Sequence, residues 1–377
     1  GGGGGEGGGG GGGGGTERQM SGPNKKKGPL VAERRYPKKA APKKKPAPRR
    51  KARKPVRKSR GLIGTLLWPF IWVIRLIWRL TWRLGLVACV LTGLGVWYYA
   101  SQLPDITALV DGRTQGSVIL QDREGARFAS RGDLFGGMIT PDTASPHLHN
   151  AIIATEDKRF YWHFGVDFYA TGAAMVRNYR RGGNPLSGAG GSSISQQTAK
   201  LLCFGVVFDP TVWDSEADYE RDCRSTTLWR KIKEAVFAMA LEAKYTKEEI
   251  LTIYMNRAYL GGGARGFEAA AQRYFGKSAA NVTPAEAAML AGLLQAPSVT
   301  SPTNNIEKAQ NRAAVVIRLM QDQDYLSTSA AQDARDNPAT LSQAAAAKAG
   351  GYFADWAMSE VPDFLTRNTT EDIIVRT

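Results

Sequence analysis

The sequence predicts a mainly α-helical domain carried on an N-terminal membrane anchor. Three observations predict it: a charge-free apolar run after a basic flank, helical spacing of apolar residues from about 146 to 320, and a shortage of strand patterning in between. The chain has 377 residues and a net charge of +16. Residues 1–60 hold 19 Lys and Arg against 3 acidic residues, so they carry the whole excess, and the remaining 317 residues are neutral with 31 of each sign. A neutral body disfavours nucleic acid as a partner, because that footprint is a basic face on the fold itself.

Residues 1–60 read as a low-complexity cytoplasmic tail, glycine-rich and then rich in Lys, Arg and Pro, with too few apolar residues for a core. In residues 61–83, Arg75, Arg79 and Arg83 recur every four residues among tryptophans. That pattern predicts an amphipathic helix in the cytoplasmic interface, the alternative being a longer tilted span with snorkelling arginines. Residues 84–103, "LGLVACVLTGLGVWYYASQL", are 20 residues without a charge, about 30 Å as a helix and enough to cross a bilayer. Trp97, Tyr98 and Tyr99 near its end fit an aromatic belt. The basic flank orients the span with the N-terminus inside and the body outside, as an uncleaved signal anchor.

Within residues 104–145, "SVILQDREGARFAS" predicts two short strands around an Asp-Arg-Glu-Gly turn. A helix is expected from Pro146, with Ser145 as its N-cap. Others are expected over "LWRKIKEAVFAMALEAKY", residues 247–260, 266–275 and 284–295, and in the Ala/Gln-rich stretch 326–350. "GGSSISQQTAKLL", residues 190–202, reads locally as a Gly/Ser loop capping a helix that starts near Ser195.

Three constellations carry chemistry. Glu156 and Asp157 follow the apolar run "AIIAT", where the helix dipole disfavours acids, so they need another reason to be there. The hydroxyl/amide stretch ending in Lys200 is the second. The third is "RKIKE", in which Arg230, Lys231 and Glu234 share a helix face, an arrangement that a surface salt-bridge ladder also produces. Two separated carboxylates suit glycosidic chemistry, and a cation cluster suits a phosphate leaving group.

These stretches resemble glycosyltransferase family 51, the peptidoglycan glycosyltransferase domain of class A penicillin-binding proteins and monofunctional transglycosylases. The resemblance covers roughly residues 115–320 through "ATEDKRFYWHFGVD", "GGSSISQQTAK", "RKIKEAVFAMALE", "KEEILTIYMNRAYLGGGARGFEAAAQRYFGK" and "TPAEAAMLAGLLQAPSVTSP". It implies a lysozyme-like glycosyltransferase domain, residues 146–325, with a small membrane-proximal lobe. It implies polymerisation of lipid II into glycan strands outside the bacterial cytoplasmic membrane, with release of a polyprenyl pyrophosphate. Glu156 then matches the general base and Glu234 the second catalytic carboxylate. Asp157, Phe160, His163 and Gly165 complete the first block, Ser193 and Gln197 match the polar loop, and Lys200, Arg230 and Lys231 match positions that hold the donor pyrophosphate. Thr198 and Ala199 stand where larger apolar residues are usual. The apolar stretch with Phe168, Tyr169, Met175 and Val176 occupies the place of a segment that dips into lipid. By resemblance alone a divalent ion, Mg or Mn, enters as a cofactor, although no independent metal motif is present; no organic cofactor is implied. The implied partners are lipid II, the growing strand, membrane lipids and other cell-wall synthesis proteins.

A lytic enzyme cleaving the same glycan is the competing class, and it has no need for Lys200 or Arg230. An inactive membrane-anchored scaffold is another, and it predicts loss of a carboxylate. Cys203 and Cys223 bracket an insertion on the outer side and are expected to form a disulfide, with Cys89 inside the span. Residues 326–377 read as an Ala-rich segment followed by "GGYFADWAMSEVPDFLTRNTTEDIIVRT", which resembles the connector toward a transpeptidase domain. They predict an N-terminal fragment of a bifunctional protein, with the strand-like "DIIVRT" left without a partner.

Overall fold

The computed structural model describes residues 62–110, 118–125, 127–131, 137–183, 191–209, 211–223, 225, 227–346 and 373–376. The expected tail, residues 1–60, and most of the connector, residues 347–372, lie outside them. Packing divides the chain at Pro69: Gly1–Pro69 supplies only the first turns of one helix among the described residues, and Phe70–Thr377 holds the rest of that helix and the body.

That helix, α1 (Leu62–Gln102), runs without a break through both apolar segments. The sequence reading divides it at 83/84 into interfacial and spanning parts; the backbone marks no boundary there. Leu67–Gln102 is long and apolar enough to cross a membrane, and Trp78, Leu84 and Leu91 stand exposed along it. Its last turns meet the body. A Cβ on Gly95 would lie 3.0 Å from Val236 Cγ1, so the small residue allows close approach, and Tyr99 meets Phe237 edge to face at 5.3 Å.

After α2 (Ile106–Val110), strands β1 (Val118–Gln121) and β2 (Arg127–Arg131) form the expected hairpin, with Gly125 at φ +86° in its turn. The strand at 373–376 is not partnerless as expected. As β3 (Ile373–Arg376) it pairs in parallel with the other edge of β1, Val118 opposite Ile373, giving the order β2-β1-β3. Parallel pairing needs a long crossover, which local sequence does not announce.

The remaining helices are α3 (Pro146–Glu156), α4 (Phe168–Arg180), α5 (Ile194–Leu201), α6 (Glu216–Cys223), α7 (Leu228–Lys244), α8 (Lys247–Arg257), α9 (Phe267–Phe275), α10 (Pro284–Leu293), α11 (Ile306–Gln321), α12 (Thr328–Asp336) and α13 (Gln343–Ala346). The fold is therefore mainly helical. Helix α10 is almost wholly apolar and buried on all sides, as a central core helix must be. It packs on α3 and α11, while α5 lies against α7 and α8. Leu148, Ile152, Phe237, Leu241, Ile250 and Tyr274 are among the fully buried residues of this single core.

Two helix starts stand where the sequence puts them, with different roles for their serine hydroxyls. Ser145 holds the N-cap position before Pro146, as expected, but its hydroxyl makes no capping bond; Oγ donates instead to the Val282 carbonyl at 3.0 Å. Helix α5 starts at Ile194, next to Ser195 as expected, and the Gly/Ser loop caps it through Ser193, in a box in which Ser193 Oγ accepts from Gln196 N and Gln196 Oε1 accepts from Ser193 N.

Candidate active site

Glu156 is the last residue of α3 and Asp157 its C-cap. The acidic pair sits at the helix end that disfavours it, and each carboxylate has a different compensation. Asp157 is buried; its Oδ2 accepts from the Ile194 backbone N–H and meets His163 Nε2, both at 2.9 Å. Its charge thus rests on the N-terminus of α5, where backbone N–H groups and the helix dipole welcome an anion. Glu156 receives a neutral donor: Gln197 Nε2 donates to its Oε2 at 2.8 Å. Tyr254 of α8 donates to Gln197 Oε1 at 3.0 Å, which fixes the direction of the amide. Burial pushes the Glu156 carboxyl above the ordinary range; the Gln197 hydrogen bond and the charges of Arg312 and Lys200 pull it back, and Asp157 adds to the rise.

The second carboxylate is built differently. Thr227 caps α7, and three to four residues on, Arg230 and Lys231 reach Glu234 on one face. Arg230 Nη1 lies 2.6 Å from Glu234 Oε2 and Lys231 Nζ 2.6 Å from Oε1. Glu234 is 1% exposed, so this is an ion cluster inside the fold and not a surface ladder. Lys231 also donates to Ser192 Oγ at 2.8 Å. The segment Ser192–Gln197 therefore touches both carboxylate systems, Lys231 at one end and Glu156 at the other. A cleft beside it is lined by Glu156, Asp157, Arg159, Asp167, Ser192 and Ser193, among others.

Not every sequence-selected residue reaches that cleft. Phe160 is fully buried under Lys247, whose Nζ stands 4.5 Å from its ring centre. His163 turns its imidazole to Asp157. Ser193, besides capping α5, donates to the Gly165 carbonyl. Lys200 is exposed in the last turn of α5 and acts on Glu156 through its charge. Thr198 and Ala199 are fully buried, and Thr198 Oγ1 returns to the Ile194 carbonyl at 2.9 Å. Phe168, Tyr169 and Val176 are exposed on α4. Cys203 and Cys223 are bonded, with Cα atoms 5.4 Å apart. Among the described residues no three His, Cys, Asp or Glu side chains gather as a metal site. Sequence reasoning missed Tyr254, Arg312 and Ser192; a tyrosine inside an apolar helix and an arginine inside another gave no local signal of facing a carboxylate on α3.

The class defined by fold and site is a helical domain with two carboxylates on separate helices and a cation cluster at one of them. The particular family follows from the relatives. The profile of the transglycosylase family matches residues 132–321, and the chain belongs to that family. Penicillin-binding protein 1A of Aquifex aeolicus (strain VF5) is 34% identical over 280 residues, 74% of this chain and 36% of its own. Penicillin-binding protein 1A of Escherichia coli (strain K12) is 36% identical over 249 residues, 64% of this chain and 26% of its own. The chain thus spans between about a quarter and somewhat over a third of these two relatives. The solved structure of penicillin-binding protein 1A from Haemophilus influenzae aligns with 60% of this chain and 21% of its own, at 20% identity and a TM-score of 0.33, too low for its sites to be compared.

Proposed function

We propose that this chain is a peptidoglycan glycosyltransferase that polymerises lipid II on the outer face of the bacterial cytoplasmic membrane. The observation that carries the reading is the contrast between Glu156 and Glu234. Glu156 faces a neutral amide donor and is pushed up by burial, which suits a group that must take a proton. Glu234 is charge-matched by Arg230 and Lys231, which suits a place where anionic phosphate is handled.

In the proposed step, Glu156 takes the proton of the acceptor hydroxyl as its oxygen bonds to the donor anomeric carbon. The bond from that carbon to the phosphate oxygen breaks, and the polyprenyl pyrophosphate leaves with both electrons. Lys200, Arg230 and Lys231 neutralise the departing charge without protonating it. Among the described residues no cluster of His, Cys, Asp or Glu forms a protein-only metal centre. The family's membrane setting supports α1 as the anchor, with the basic tail inside, and other wall-synthesis proteins as partners.

The test uses the full chain in lipid vesicles with labelled lipid II. Wild type is expected to yield long strands and Glu156→Gln none. Polymerisation by Glu156→Gln within tenfold of wild type would sink the base assignment. Release of short fragments from preformed glycan, with no strand growth, would favour the lytic class.

A further inference from the structure

We infer that Glu242 and Lys247 are positioning residues for Glu156, acting through a closed ring of hydrogen bonds behind the cleft; the inference rests on the proposed role of Glu156. Neither residue belongs to the acidic pair, the polar loop or the cation cluster of the candidate site. Lys247, the first residue of α8, lies 2.5 Å from Glu242 of α7. Its Nζ also donates to the His163 carbonyl at 2.7 Å. Glu242 Oε1 accepts from Ser195 Oγ at 2.5 Å. From His163 the ring continues to Asp157, from Asp157 to the backbone of Ile194, and the next residue, Ser195, closes it.

Two members of this ring adjoin the site. Asp157 is covalently next to Glu156, and Ser195 lies two residues before Gln197, which holds the Glu156 carboxylate. The ring therefore joins the end of α3, the 160–165 loop, the start of α5, α7 and α8 at one place. The side chains of Lys247 and Glu242 are 17% and 5% exposed, so the bridge is held in a low-dielectric setting where losing one partner disturbs the rest. Moving the start of α5 changes the reach of Gln197, and misplacement on the scale of 1 Å at such a base costs about 100-fold.

The groups facing Glu156 are Gln197 and Lys200 of α5, Arg312 of α11 and Asp157, with Tyr254 of α8 behind Gln197. Glu286 of α10 is paired with Lys277. Among these groups, Gln197 supplies the donor that the ring controls. Its loss removes a bond that favours the ionised form, so the acid limb of the rate profile must move to higher pH.

The experiment measures lipid II polymerisation against pH for wild type, Lys247→Met, Lys247→Arg and the double variant Glu242→Gln/Lys247→Met, with thermal unfolding of each. Lys247→Met is expected to lower kcat about 10–100-fold, with the acid limb displaced upward. Lys247→Arg should restore most of the rate, since a guanidinium still spans carbonyl and carboxylate. The double variant removes both buried charges and tests the ring even where the single variant folds poorly. A lower melting temperature with kcat and pH profile unchanged in the folded protein would overturn the inference. That failure is distinct from failure of the functional reading, in which wild type makes no strands or Glu156→Gln still does.

Discussion

Arg230→Met and Lys231→Met remove one cation each from the same carboxylate, yet the structure predicts unequal consequences. The Glu234 carboxylate is 2% exposed, the Arg230 side chain 11% and the Lys231 side chain 44%. Breaking a buried pair strands its partner and costs about 3–5 kcal/mol, whereas an exposed pair contributes about 0–1 kcal/mol. Arg230→Met leaves Glu234 with the half-solvated lysine, so about 3 kcal/mol is expected. Lys231→Met leaves the buried arginine in place, and about 1 kcal/mol is expected. For a domain of this size each kcal/mol moves the melting temperature by about 2–4 °C, so the expected losses are about 6–12 °C and about 2–4 °C. The assay is thermal unfolding of the full chain in detergent at neutral pH, in low and high salt. Only the Lys231 effect should shrink appreciably with salt, because its side chain is the better solvated. Equal losses, or a larger one for Lys231→Met, would refute the claim that Arg230 carries the buried half of the cluster.

Glu156→Gln should raise thermal stability near pH 7.5, with the gain fading as the pH falls through the raised folded-state pKa and gone below the ordinary carboxylate range. The folded-state affinity of Glu156 for its proton is raised, so its contribution to stability is full below the unfolded pKa and is lost as pH rises through the folded one; a gain that grows toward acid would contradict this. Cys203→Ser should cost about 3 kcal/mol by freeing a loop with a sequence separation of 20, and alkylation of unreduced, denatured wild type should detect no thiol at Cys203 or Cys223. Gly165→Ala should cost about 2–4 kcal/mol in denaturant unfolding, because φ is +75° and a Cβ would stand 2.7 Å from Met239 N.

What sequence alone could show depended on the range of the interaction. Pro146, the helix signal of "RKIKE" and the turn before Gly125 act within a few residues, and the elements stand where their patterns put them. The start of α5 is equally local: Ser193 of the Gly/Ser loop and Gln196 three residues on form the reciprocal box that caps it. The partner of the Ser145 hydroxyl was out of reach, a carbonyl 137 residues away. So was β3, whose partner lies at the far end of the body in sequence. The two carboxylates and the cations of α7 were visible as residue types, but what each side chain touches was not. Tyr254 behind Gln197 and Lys247 behind His163 are placed by tertiary packing alone.

The two carboxylates owe their difference to the helices that hold them. Glu156 ends α3, where the dipole offers no help, and it accepts its hydrogen bond from an amide. An amide cannot give up a proton or supply a full charge, so it orients the carboxylate while leaving it basic. Glu234 lies in the second turn of α7, with Arg230 and Lys231 one turn before it on the same face. Those cations already have an anion, so in the proposed reaction a departing pyrophosphate would share them with Glu234 and not find them waiting. Under that proposal a shared arrangement would bind phosphate less tightly than free cations and release it more readily once the glycosidic bond had formed. Lys231, the more exposed cation and the one that also reaches Ser192, is the member best placed to change partners. Arg230, more deeply buried, is suited to keep Glu234 compensated while that exchange takes place.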